Sequence, residues 1–127
     1  MHPILLVGLG GFLGAVARYT LGGLVLHLTA QERFPYSTFA VNVLGCLVVG
    51  ILAGLAERHH AFGPDARLFL FTGLLGGFTT FSAFGLEAVH LLRRGELATA
   101  ALYAGGSVVL GIAAVWLGLK LVGLAGR

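Results

Sequence analysis

The sequence predicts an all-α membrane protein with four transmembrane helices per subunit, and three observations point there. Of 127 residues, 57% are hydrophobic and 10% charged, with mean hydropathy +0.96; a soluble domain averages about 45–50% apolar and about 25% charged. Charge-free stretches at residues 36–56, 68–86 and 97–119 hold 21, 19 and 23 residues, each enough to cross roughly 30 Å of hydrocarbon at about 1.5 Å per helical residue. Glycine is abundant, 21 residues beside three prolines, as expected where helices pack closely in lipid.

The first span, about residues 4–28, is as apolar as the others and carries one charge, Arg18. Its Ala15-Val16-Ala17 resembles a signal-peptide cleavage site, but no Lys or Arg precedes the apolar run, so a membrane span is the better reading. The second span covers about 36–56, the third about 68–92 including a polar end, and the fourth about 97–119. Connections at 29–35, 57–67 and 93–96 are short and rich in turn residues, so the chain reads as a single four-helix domain over residues 1–127.

Four spans put both termini on one side, with Arg58, Arg67, Lys120 and Arg127 there against Arg33, Arg93 and Arg94 opposite. Four against three is almost no orienting bias. Such a chain can insert both ways, which permits an antiparallel homodimer.

Several functions are excluded. The basic residues are dispersed, so no phosphate-backbone surface forms and nucleic acid is not expected as a partner. A lone Cys46 makes no internal disulfide. A dinucleotide loop starting at Gly8 would need glycine at position 13, which is Leu13. The five histidines show no metal-site spacing, and no nucleophile-base pair suggests an enzyme.

Small residues recur one helical turn apart: Gly10 with Gly14, Gly11 with Ala15, Cys46 with Gly50 and Gly54, Gly73 with Gly77. These mark packing faces. Polar residues inside the spans carry more information, because each is costly there. Arg18 lies deep in the first span and needs water or a partner. Asn42, in the second, offers an uncharged amide that can coordinate a dehydrated anion. Glu87 is the one carboxylate near the interior of a span and is expected to reach polar surroundings; otherwise the interior lacks the acids of a proton-coupled cation exporter.

In the third span, Gly76-Gly77-Phe78-Thr79-Thr80-Phe81-Ser82-Ala83-Phe84 places two glycines and a run of hydroxyls in an apolar stretch. A broken helix is expected, its freed carbonyls able to bind a cation. Phe81 and Phe84 are three apart and share a face, and their ring edges are electropositive. Tyr103 and Ser107 are four apart on the fourth span, with Gly111 continuing the row.

At these residues the chain resembles the small bacterial fluoride channels of the Fluc or CrcB family. The likeness rests on the third-span motif above, on Gly10-Gly11-Phe12-Leu13-Gly14-Ala15-Val16-Ala17-Arg18-Tyr19, and on Ser37-Thr38-Phe39-Ala40-Val41-Asn42-Val43-Leu44-Gly45. It implies an antiparallel dual-topology homodimer in the bacterial inner membrane, exporting fluoride passively through two pathways. Asn42, Phe81, Phe84, Tyr103, Ser107, Thr80 and Ser82 would line each pathway and Arg18 its vestibule. A structural Na⁺ would sit at the dimer centre on main-chain carbonyls of Gly76 and Thr79. Ser37, Ala83 and Gly111 depart from the family pattern, where Gly, Thr and a hydroxyl are common. The alternatives are a small dual-topology proton-coupled drug or cation exporter, which would depend on Glu87, and a non-conducting membrane subunit.

Overall fold

The computed structural model describes residues 2–29 and 33–126. Part of the first connection, residues 30–32, and the Arg127 counted toward orientation lie outside them. Four helical columns are each long and apolar enough to span a bilayer: Pro3–Leu28, Tyr36–His59, Pro64–Arg93 and Leu97–Ala125.

Helix α1 (Pro3–Leu28) starts where His2 Nδ1 accepts the Ile4 N–H at 3.1 Å, with Pro3 in the first turn where its missing N–H costs nothing. Helix α2 (Tyr36–His59) follows Pro35 and stops at His60, whose left-handed φ of 49° ends the hydrogen-bond ladder. The helix outruns the charge-free stretch, because Glu57, Arg58 and His59 keep helical geometry.

The third column is composite. A short α3 (Pro64–Arg67) runs into a π-helical segment, Leu68–Leu75, then α4 (Gly76–Phe78) and α5 (Phe81–Arg93). Between α4 and α5, Thr79 (φ −85°, ψ 154°) and Thr80 (φ −146°, ψ 116°) are extended. The column as a whole bends by only 19°, so the departure from helix is local to two residues. The π segment has no counterpart in the sequence reading, since hydrophobic periodicity over eight apolar residues does not separate one wide turn from an ordinary one. Helix α6 (Leu97–Ala125) continues past residue 119, and Lys120 Nζ lies 5.0 Å from the Trp116 ring centroid, an aromatic-cation pair suited to a membrane boundary.

The small-residue rows make the two main helix crossings. Gly10 and Gly14 of α1 face the third column: a Cβ on Gly10 would lie 2.5 Å from the Phe69 carbonyl oxygen, one on Gly14 would overlap that of Leu74, and one on Gly77 would lie 2.6 Å from that of Gly11. In the α2–α6 crossing, a Cβ on Gly50 would strike the Val115 carbonyl and one on Gly118 would lie 2.6 Å from Leu47 O and Ile51 N. Backbones this close gain the dispersion contacts that replace the hydrophobic effect inside lipid. Gly14→Val is therefore expected to destabilise the fold by about 1–3 kcal/mol or more, the cost of overpacking against immobile backbone; thermal unfolding in detergent checks this, with Gly8→Val, at an open position, as control.

Few large side chains are buried, Tyr103, Leu91 and Val41 foremost, while Phe12, Tyr19, Phe81, Val109 and Trp116 point outward. That inversion of a soluble core fits a chain solvated by lipid or by a second copy.

Candidate ion pathway

The extended pair Thr79-Thr80 is held by Asn42 of α2. Asn42 Oδ1 accepts the Thr80 N–H at 2.8 Å, and Asn42 Nδ2 donates to the Thr80 carbonyl at 2.9 Å. Both backbone groups that Thr80 withdraws from the helix are thus satisfied by one side chain, as the absence of water requires. One amide hydrogen of Asn42 remains beyond this clamp. Thr80 Oγ1 caps α5 by accepting the Ala83 N–H at 3.2 Å, and lies 3.4 Å from Ser82 Oγ. Thr79 Oγ1 donates back to the Leu75 carbonyl at 2.9 Å.

These diversions have a consequence for the carbonyls. In an uninterrupted α-helix the Thr80 N–H would return to Gly76 and the Ala83 N–H to Thr79. Here the first goes to Asn42 and the second to Thr80 Oγ1. The carbonyls of Gly76 and Thr79 lose those donors. Nearby, Gly77 O accepts from Arg18 Nε at 3.1 Å, which gives the deep arginine a partner.

A groove of about 450 Å³ runs along this region. It gathers Asn42, Gly76, Thr79, Thr80, Phe81, Phe84 and Ser107, with Gly45 and Cys46 completing its α2 wall. A Cβ on Gly45 would strike Thr79 Cγ2, so glycine there gives the extended pair its room. The two phenyl rings stand 5.7 Å apart, centroid to centroid, and tilted by 34°. Phe81 is 84% exposed and Phe84 half-buried. The groove is therefore open along the side where Phe81 projects. Ser107 Oγ is buried in it with no hydrogen-bond partner among the described residues, an expensive condition for a hydroxyl unless something passes or binds there.

Three predicted residues sit outside the groove lining. Tyr103 is fully buried behind Phe84, ring centroids 5.0 Å apart. Arg18 lines a second cleft of about 240 Å³ with Ser37, Thr38 and Thr80, so Thr80 borders both spaces. Ser82 is exposed beside Thr80. Tyr103 and Ser107 share a face of α6, yet the length of the tyrosine carries its hydroxyl elsewhere, to Glu87.

Glu87 is the residue whose role sequence reasoning left unassigned. Its carboxylate accepts Thr38 Oγ1 at 2.7 Å on one oxygen and Tyr103 OH at 2.7 Å on the other, tying α2, α5 and α6 together. The expected polar surroundings are two hydroxyls inside the bundle. The available signal was its isolation as a carboxylate in a span; the partners, 49 and 16 residues away, left no local trace.

Comparison with known proteins follows the same lines. A family model described as CrcB-like protein, Camphor Resistance (CrcB), matches residues 5–119. A fluoride-specific ion channel FluC from Methylobacillus flagellatus is 55% identical over 122 residues, 96% of this chain and 95% of that protein. Proteins of the same name from Nitratidesulfovibrio vulgaris and Flavobacterium psychrophilum are 50% and 46% identical over 119 residues, 94% of this chain and 95% of each relative. With that coverage, and with four spans and an asparagine-clamped Thr-Thr interruption beside paired phenyl rings, this chain belongs to the CrcB-like family.

Proposed function

We propose that the protein is a passive fluoride channel that exports F⁻ down its electrochemical gradient, working in the bacterial inner membrane as an antiparallel dual-topology homodimer with two pathways. The reading rests on the groove: one neutral wall carrying a spare amide hydrogen on Asn42, an unpartnered hydroxyl on Ser107 and two phenyl rings, open along one side. Fluoride is small and strongly hydrated, so a pore must offer donors that replace its shell without a full positive charge that would hold it. Amide, hydroxyl and ring edge are such donors. A second, inverted copy laid against the open side would close the passage and repeat it by symmetry. Thr80 and Ser82 would extend the polar track, Tyr103 would back the Phe84 ring at the edge of the pathway, and Arg18 would draw anions into the vestibule. The Thr79-Thr80 interruption is, on this reading, the functional break of the third helix. Curated relatives named as fluoride-specific channels support the choice of ion.

The same reading assigns a structural Na⁺ to the dimer centre, on main-chain carbonyls of Gly76 and Thr79 from both copies. The residues fit: both carbonyls have lost their helical donors to Asn42 and Thr80, and neutral oxygens suit a hard monovalent cation. When bound, the ion supplies positive charge that stabilises the interruption. Replacing sodium with N-methylglucamine throughout purification and assay is expected to lower efflux; undiminished efflux would remove the ion from the account.

The direct test is fluoride-electrode recording from liposomes containing the purified protein, with no pH gradient and with potassium permeability supplied. Fluoride should leave down its gradient. Flux that appears only under a proton gradient and vanishes in Glu87→Gln would instead identify a proton-coupled exporter.

A further inference from the structure

Away from the groove, α2 and the start of the third column enclose a separate cleft of about 430 Å³. Its lining includes the charged Glu57 and Arg67 and the apolar Ala53, Leu68 and Phe71. Two opposite charges face one space, yet no ion pair joins them among the described residues. Arg67 is oriented from behind, its Nε donating to the Phe62 carbonyl at 3.3 Å, which leaves the two terminal NH₂ groups of the guanidinium to serve an anion. Both charged side chains are exposed, Glu57 near the C-terminal end of the α2 span and Arg67 near the N-terminal end of the third. The neighbouring π segment forms the third wall, and such segments widen a helix locally.

The geometry points to a binding site for a phospholipid whose headgroup carries both a phosphate and a primary ammonium. The phosphate would take the Arg67 fork, the ammonium would donate to the Glu57 carboxylate, and an acyl chain would lie along Ala53, Leu68 and Phe71. A phosphatidylethanolamine carries both of the charges that this pair of side chains would recognise. A phosphatidylcholine presents the same charges, but its quaternary nitrogen has no hydrogen to donate. A phosphatidylglycerol lacks the cation. This assignment is independent of the transported ion.

The test uses the full chain reconstituted in vesicles of equal phosphatidylethanolamine, phosphatidylcholine and phosphatidylglycerol, with retained lipid read by native mass spectrometry. The ethanolamine lipid should be retained about threefold to tenfold over the choline lipid, the worth of one partly exposed charge-assisted hydrogen bond. Glu57→Gln should abolish that preference, and Arg67→Gln should lower retention of all three lipids; both side chains are exposed, and gel filtration confirms that the variants fold. Equal retention of ethanolamine and choline lipids by the wild type, or variants that leave the ratio unchanged, overturns the proposal. A benzophenone placed at Ala53→Cys, in a Cys46→Ser background, should capture phospholipid; capture of a second copy of the chain assigns the cleft to a subunit contact and likewise overturns it.

Discussion

Phe84→Ile is expected to cut fluoride efflux from liposomes by about a hundredfold while the protein still elutes as the wild-type oligomer. The ring is half-buried between Phe81 and Tyr103, 5.7 Å and 5.0 Å from them by centroid, and isoleucine can fill much of that space. Stability should therefore change little. What isoleucine lacks is the electropositive ring edge. A desolvated anion left without one of its partners loses about 2–3 kcal/mol, more for a charge than for a neutral group, and each 1.36 kcal/mol added to the barrier is roughly tenfold in rate. Phe81→Ile should act in the same direction. Wild-type flux in both variants would detach the rings from the pathway.

Asn42→Asp should have an equally large effect for a different reason. The substitution keeps the shape and the Oδ1 acceptor for the Thr80 N–H, but it replaces the Nδ2 donor to the Thr80 carbonyl and the spare amide hydrogen beyond it. As an anion, the aspartate would repel both that carbonyl and fluoride, and its burial would cost at least about 2.5–3.5 kcal/mol on insertion scales. Efflux should fall by more than about a hundredfold, and the unfolding midpoint should drop with it. Asn42→Ser, which keeps a donor without a charge but cannot reach both Thr80 groups, should be milder in flux. An Asn42→Asp protein that conducts fluoride normally would remove the Asn42 amide from the pathway.

How far the sequence could be read depends on the range of the interactions involved. Three columns were legible because 19 to 23 charge-free residues leave a chain little choice in a bilayer, and the first because its apolar run is interrupted by Arg18 alone. The close crossings at Gly10, Gly14, Gly50 and Gly77 were legible because helical spacing is local. Of the residues expected along the pathway, Asn42, Thr80, Phe81, Phe84 and Ser107 line one space, together with Thr79, which the sequence assigned to a cation instead. The Asn42 clamp was not legible, because its partner lies 38 residues away and nothing in either segment announces the pairing. Tyr103 illustrates the limit of face arithmetic: its Cα shares a side with Ser107, yet its hydroxyl reaches Glu87, outside the groove.

The central claim is that one chain supplies half a passage, completed by an inverted twin. Its most direct measurement is the sidedness of the C-terminal end in living cells, using a single cysteine at Gly126 in a Cys46→Ser background and a membrane-impermeant thiol reagent added to intact cells and then to permeabilised ones. The account predicts that about half of the molecules react before permeabilisation and the remainder after it, as an equal mixture of orientations requires. Labelling confined to one side would contradict it.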